Sequence, residues 1–75
     1  LNVKIKLKAV NNLIKFSNRL KKIDLVSNFY VRQLNKDYAL VKIRYFGQIS
    51  KIIEKLKDEK MILENKNDEW LLDII

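Results

Sequence analysis

The chain offers few side chains that could do covalent chemistry. It has no His and no Cys, so the commonest general base, the commonest metal ligand and the thiolate nucleophile are all missing. Ser17, Ser27 and Ser50 therefore have no imidazole to activate them. Asp58 with Glu59, and Asp68 with Glu69, are adjacent carboxylates. Neighbours along a backbone diverge rather than converge on one substrate, so a helix end and a hairpin turn are the simpler places for them. A single Gly cannot build a glycine-rich phosphate loop, and no stretch has the ligand spacing of a calcium loop. The expectation is no catalytic residue, no metal site and no cofactor.

What the residue types do suggest is binding. Lys4, Lys6, Lys42 and Arg44 fall at alternate positions of two strand-like runs, with Tyr30 and Tyr38 close to them in sequence. Cations that hold phosphates beside aromatics that stack bases would suit nucleic acid. The same six residues would equally make a solvated basic face, partly paired with Glu64, Glu69 or Asp73, or a surface for a protein partner. Strand one offers lysines only, and the aromatic-rich signature of RNA-recognition motifs is absent. A protein partner, or a second copy, is thus the preferred expectation and nucleic acid the alternative. The cations of the first helix, Lys15, Arg19, Lys21 and Lys22, have no bulky apolar patch beside them to enter a lipid surface.

The elements that must position these residues can be read from periodicity. Residues 38–47, YALVKIRYFG, alternate Ala39, Val41, Ile43 and Tyr45 against Lys42 and Arg44, the two-residue period of a half-buried strand. Gly47 ends the run. Val3, Ile5 and Leu7 alternate with Lys4, Lys6 and Lys8 as a first strand. Asn11 or Asn12 can cap a helix over about 12–23, because Leu13, Phe16, Leu20 and Ile23 recur on one stripe. Phe29 and Val31 share a side while Val26 and Leu34 have the opposite parity, a slip that a bulge or an edge position would produce. Asn35, Lys36 and Asp37 form a hairpin turn into the run that starts at Tyr38.

After Gly47, Ile49, Ile52, Ile53 and Leu56 trace a second helix. No Gly closes it, so Lys60 or a neighbour must take the turn. Residues 61–64 resume an extended pattern, residues 65–68 are a polar turn, and residues 69–75 make a last strand. The order is β-α-β-β-α-β with a terminal hairpin in place of the last strand. That order predicts an α+β fold, the ferredoxin-like two-layer sandwich, with strands one and three central and both helices on one face. Tyr45 reads as core, and Trp70 as core or as the cap of an interface.

Seventy-five residues allow one domain, 1–75, and leave a small core to stabilise it. Starting on Leu1 suggests a domain excised from a longer protein, with any targeting segment upstream. No apolar run reaches the roughly 20 residues that span a bilayer. Residues 1–57 carry a balance of +11 and residues 58–75 one of −4, together the chain's +7. A basic body followed by an acidic segment can bind a polyanion or partly neutralise itself.

From about Val3 to Trp70 the cadence resembles a small domain of an uncharacterised proteobacterial envelope family. The landmarks are Asn18-Arg19-Leu20, Val26 and Val31, then Ala39, Val41, Ile43 and Tyr45 leading to Gly47, and finally Leu63 and Trp70. The resemblance implies an exported protein of unknown function, periplasmic or in the cell envelope, with no catalytic residues to carry over. Together with the residues, it leads us to expect a non-enzymatic interaction module.

Overall fold

In the first strand Val3 and Ile5 are buried while Lys4 is half-exposed and Lys6 exposed, as two-residue alternation requires. The computed structural model describes residues 1–7 and 11–75, so Lys8 of that alternation lies outside the described residues. Along the chain come β1 (Asn2–Lys6), α1 (Asn12–Leu20), β2 (Val26–Leu34), β3 (Tyr38–Tyr45), α2 (Ile49–Asp58), β4 (Met61–Lys66) and β5 (Glu69–Ile74). Val3 and Ile5 join Ala39, Val41 and Ile43 of β3, Met61 and Leu63 of β4 and Leu72 of β5 in one core. Phe16 and Leu20 of α1, and Ile52 and Leu56 of α2, close it from the helix side.

The fold is α+β, as the sequence implies, but its strand order differs from the ferredoxin-like one. Among the described residues the sheet runs β2-β3-β1-β5-β4. β1 is antiparallel to β3 and parallel to β5, while β4 is antiparallel to β5 alone. In the expected order β4 would lie beside β1, with strands one and three central. Here β5 occupies that place and β4 is displaced to the edge, which leaves β1 as the middle strand. The hairpin itself is set locally. Asn67 and Asp68 both adopt left-handed backbone, with φ of 53° and 63°, between the paired residues Lys66 and Glu69. Two left-handed residues are what a type I′ hairpin loop needs, and its twist matches that of the strands it joins. The chain is thereby returned directly alongside β4, and it lies on the side toward β1.

Composition agrees with that placement. Trp70, Leu71 and Leu72 give β5 apolar side chains on both faces, which suits an interior, partly parallel strand. β4 ends in Glu64, Asn65 and Lys66, all exposed, which suits an edge. The parity slip in β2 has both of its expected causes. β2 is an edge strand, and its register against β3 shifts between Val26 and Asn28 and again between Val31 and Gln33.

Helix ends follow the chain's own chemistry. α1 stops at Leu20, three residues short of the expected end, and Lys21 and Lys22 form a turn that carries Ile23 into the core. Asn11 holds the N-cap position without a side-chain cap bond. The Arg19 guanidinium reaches across to the turn before β4 and the end of β5, its Nη1 donating to the carbonyls of Lys60 (3.2 Å) and Ile75 (2.8 Å). Lys60 has φ of 61°, so a lysine takes the left-handed position after α2 that glycine usually fills.

Two substitutions test these turns. A Cβ added at Gly47 (φ 89°) would meet nothing within 4 Å, so Gly47→Ala acts through backbone strain alone. It is expected to cost about 1 kcal/mol. Asp68→Gly, which makes the loop Asn-Gly, is expected to gain about 0.5–1 kcal/mol. Urea denaturation midpoints with an unchanged slope measure both. An Asp68→Gly midpoint below that of the parent would refute the loop assignment.

Candidate interaction surface

Residues that alternate with the core side chains form the outer face of the sheet. On β1 and β3, Asn2 stands opposite Lys42, Lys4 opposite Leu40 and Lys6 opposite Tyr38. On β2, Tyr30 stands opposite Lys42 and Asn28 opposite Arg44. On the other flank Leu71 lies beside Lys4, with Glu64 beside Leu71, Ile62 beside Asp73 and Lys66 beside Glu69. Lys4, Lys6, Tyr30, Tyr38, Lys42 and Arg44 therefore share one face. The two open depressions on it, about 420 and 410 Å³, are lined by strand and turn residues only.

The four cations are on adjacent strands but do not form an unbroken block. Leu40 and Tyr38 separate them, and Lys4 is already engaged. Its Nζ lies 3.8 Å from a Glu69 carboxylate oxygen and 4.5 Å from the centroid of the Tyr38 ring. The ammonium thus occupies one face of that ring. Lys66 pairs with Glu64 at 3.5 Å. Lys42 and Arg44 form no ion pair among the described residues. The charge pattern is consequently graded. Cations and carboxylates interleave over β5 and β4 and at Lys4 of β1, while Lys6 of β1, Arg32 of β2 and Lys42 and Arg44 of β3 form no ion pair among the described residues. Leu40 and Leu71, both half-buried and on either side of Lys4, and the more exposed Ile62 add apolar surface among these charges.

Arg32, Leu40 and Leu71 belong to this surface and were not singled out from the sequence. Arg32 is the unpaired residue at the second register shift of β2 and lines the depression shared by Lys4, Leu40 and Glu69. The even parity of Leu40 with Lys42 and Arg44 was the available signal for that residue.

The remaining candidates settle into structural places. Asp58 ends α2 and Glu59 follows it, while Asp68 is in the β4–β5 turn and Glu69 begins β5. Among the described residues no group of three or more acidic side chains could hold a metal ion. Ser27 Oγ donates to the Arg44 carbonyl at 3.3 Å. Tyr45 and Trp70 are partly buried against the core, Trp70 on the inner face opposite Val3. Arg19 is committed to backbone carbonyls. No helix of the described residues is long and apolar enough to cross a membrane.

Compared with known proteins, the chain matches no family model, no curated protein and no solved structure.

The Lys4–Glu69 pair is partly exposed on both sides, so water screens it strongly. Glu69→Gln is expected to cost less than about 1 kcal/mol, an effect that shrinks further at high salt. A loss of several kcal/mol by chemical denaturation would show the pair to be a structural anchor instead.

Proposed function

We propose that this chain is a non-enzymatic protein-interaction module, part of a larger envelope protein as the resemblance of its landmarks implies. The outer sheet face and the open edge at β2 are its working surfaces. The observation that carries this reading is the composition of the outer face: Leu40, Leu71 and Ile62 are interleaved with charges of both signs, Lys4 standing between Leu40 and Leu71. Apolar side chains mixed with charges of both signs suit a protein partner. A polyanion site would instead favour one sign of charge throughout.

The test is retention of a protein from a lysate of the source cells on the immobilised chain. It compares the parent with Leu40→Gln/Leu71→Gln, each shown to be folded by circular dichroism. Retention by the parent that falls at least about tenfold in the double variant, the range expected when a central apolar contact is lost, supports the outer face. Equal retention by both excludes it.

A second reading rests on one specific feature. Tyr30 is 45% exposed beside Lys42, with Arg44 further along β3, and neither cation is in an ion pair among the described residues. That is the combination of stacking platform and phosphate contacts on which single-stranded nucleic acid binds. Fluorescence anisotropy with a labelled single-stranded DNA oligonucleotide tests it. The reading requires binding that weakens steeply with salt and drops on Lys42→Glu or Arg44→Glu. Binding indifferent to both substitutions removes it.

A further inference from the structure

A sheet edge presents unpaired backbone donors and acceptors, and proteins usually protect such edges with charges, prolines or bulges. The two edges of this sheet differ in that protection. β4 is six residues long and carries Glu64 and Lys66 on its exposed half. β2 is nine residues long, is exposed along most of its length, and has one charged residue, Arg32, between Val26 and Leu34. In a chain with one residue in three charged, that stretch is conspicuously neutral. Its two register shifts bracket a regular run, Asn28–Val31, that stays paired with β3. The bulges therefore limit the open edge to a central segment without closing it.

The helix layer also stops short of this edge. Phe29 packs against Phe16 of α1, their centroids 5.3 Å apart and their planes at 78°. Val31 and Leu34 share the core-side parity of Phe29, since they pair with Val41 and Ala39. Yet they remain 39% and 57% exposed. An apolar strip thus continues past the last covered residue, alongside a neutral free edge.

We propose that β2 is a homotypic edge: a second copy of this chain adds its own β2 antiparallel, joining two sheets into one about a two-fold axis at Tyr30. This rests on the reading of the chain as an interaction module and names its partner. Symmetry restricts the register. Opposite residues in an antiparallel pair point to the same face, so an axis through Tyr30 sets Tyr30 against its own copy and Phe29 against the partner's Val31, with Asn28 facing the bulge at the partner's Arg32. Apolar meets apolar on the helix side, aromatic meets aromatic on the outer side, and no like charges are opposed along the strand. A heterologous strand would need its own complement to this sequence, whereas the sequence complements itself. The uncompensated Lys42 and Arg44 lie one strand in from the axis, so screening by salt favours association. That salt dependence has the opposite sign to polyanion binding.

The experiment uses the purified chain. Light scattering after size exclusion, from about 10 µM to about 1 mM at low and at high salt, is expected to show the mass rising from 9.0 kDa toward twice that value, more so at high salt. Val31→Lys, at an exposed position, is expected to stay at the monomer mass while keeping the parent's circular dichroism. The chain has no native cysteine among the described residues or elsewhere in its sequence, so single cysteines report geometry cleanly. Tyr30→Cys is expected to be cross-linked into a covalent dimer by a short bifunctional thiol reagent at least tenfold faster than Ile62→Cys on the opposite edge strand. A parent that remains monomeric at every concentration and salt, with Tyr30→Cys cross-linking no faster than Ile62→Cys, overturns the homotypic edge. So does a dimer unaffected by Val31→Lys. In either case the retention assay with Leu40→Gln/Leu71→Gln still decides separately whether the chain is an interaction module.

Discussion

The fold depends on the parallel pairing of β5 with β1. Without it β1 would be paired on one side only, and Val3 and Ile5, now almost wholly buried, would border an open edge. The turn brings β5 back beside β4, and the apolar side chains on both faces of β5 suit it to the interior place beside β1. Asn67 and Asp68 accept left-handed backbone more readily than most residues, and that conformation sends the chain straight back beside β4. Because the return lies on the β1 side, β5 is caught between two strands and β4 becomes the new margin. A loop of different twist would leave the hairpin free to splay, and the acidic segment would then be a tail rather than part of the sheet.

The helix layer covers one face of this sheet, and not all of it. Both helices contribute to the single core cluster, and two helices cannot roof five strands evenly at a spacing of roughly 8–10 Å between helix axes. Coverage fails first at β2, where Phe29 still touches Phe16 but Val31 and Leu34 do not gain shelter. Widening the sheet by one strand therefore has a structural consequence at its far side. The exposed apolar strip on β2 follows from a helix layer narrower than the sheet beneath it, and the bare outer face from both helices packing on the other side.

Much of this could be read from residue order. Alternation located β1 and β3, stripes of period 3.6 located both helices, and the parity slip between Phe29 and Leu34 called for a bulge or an edge position, of which β2 has both. The absence of Gly after α2 required Lys60 or a neighbour to take the turn, and Lys60 does so with left-handed backbone. The place of β5 was not recovered, because local pattern shows that a hairpin exists but not on which side of its first strand the second will lie. The signal that did bear on it was the contrast between Trp70-Leu71-Leu72 and Glu64-Asn65-Lys66, since an interior strand must be apolar on both faces. Within the surface, parity sufficed to group Lys4, Lys6, Lys42 and Arg44 with Tyr30 and Tyr38. It could not show that Lys4 would be held by Glu69 and Tyr38 together, because that contact needs β5 beside β1.

Charge ties topology to recognition. Read linearly, the chain is a basic body followed by an acidic segment, a division that suggests a surface of one sign. Insertion of β5 cancels much of that division by laying Glu69 against Lys4 and bringing Asp73 and Glu64 onto the same face. The local field around Lys4 and β5 is thus weaker than a net charge of +7 implies, and the positive remainder lies over β3 with Lys6 and Arg32 at its sides. Long-range steering of a polyanion scales with such a remainder, whereas docking of a protein depends on apolar side chains and on complementary charges among them. The strand order consequently shifts the balance from the first kind of partner toward the second. Had β4 rather than β5 lain beside β1, the polar end of β4 would have flanked Lys4 and the apolar surface supplied by Leu71 would have been lost.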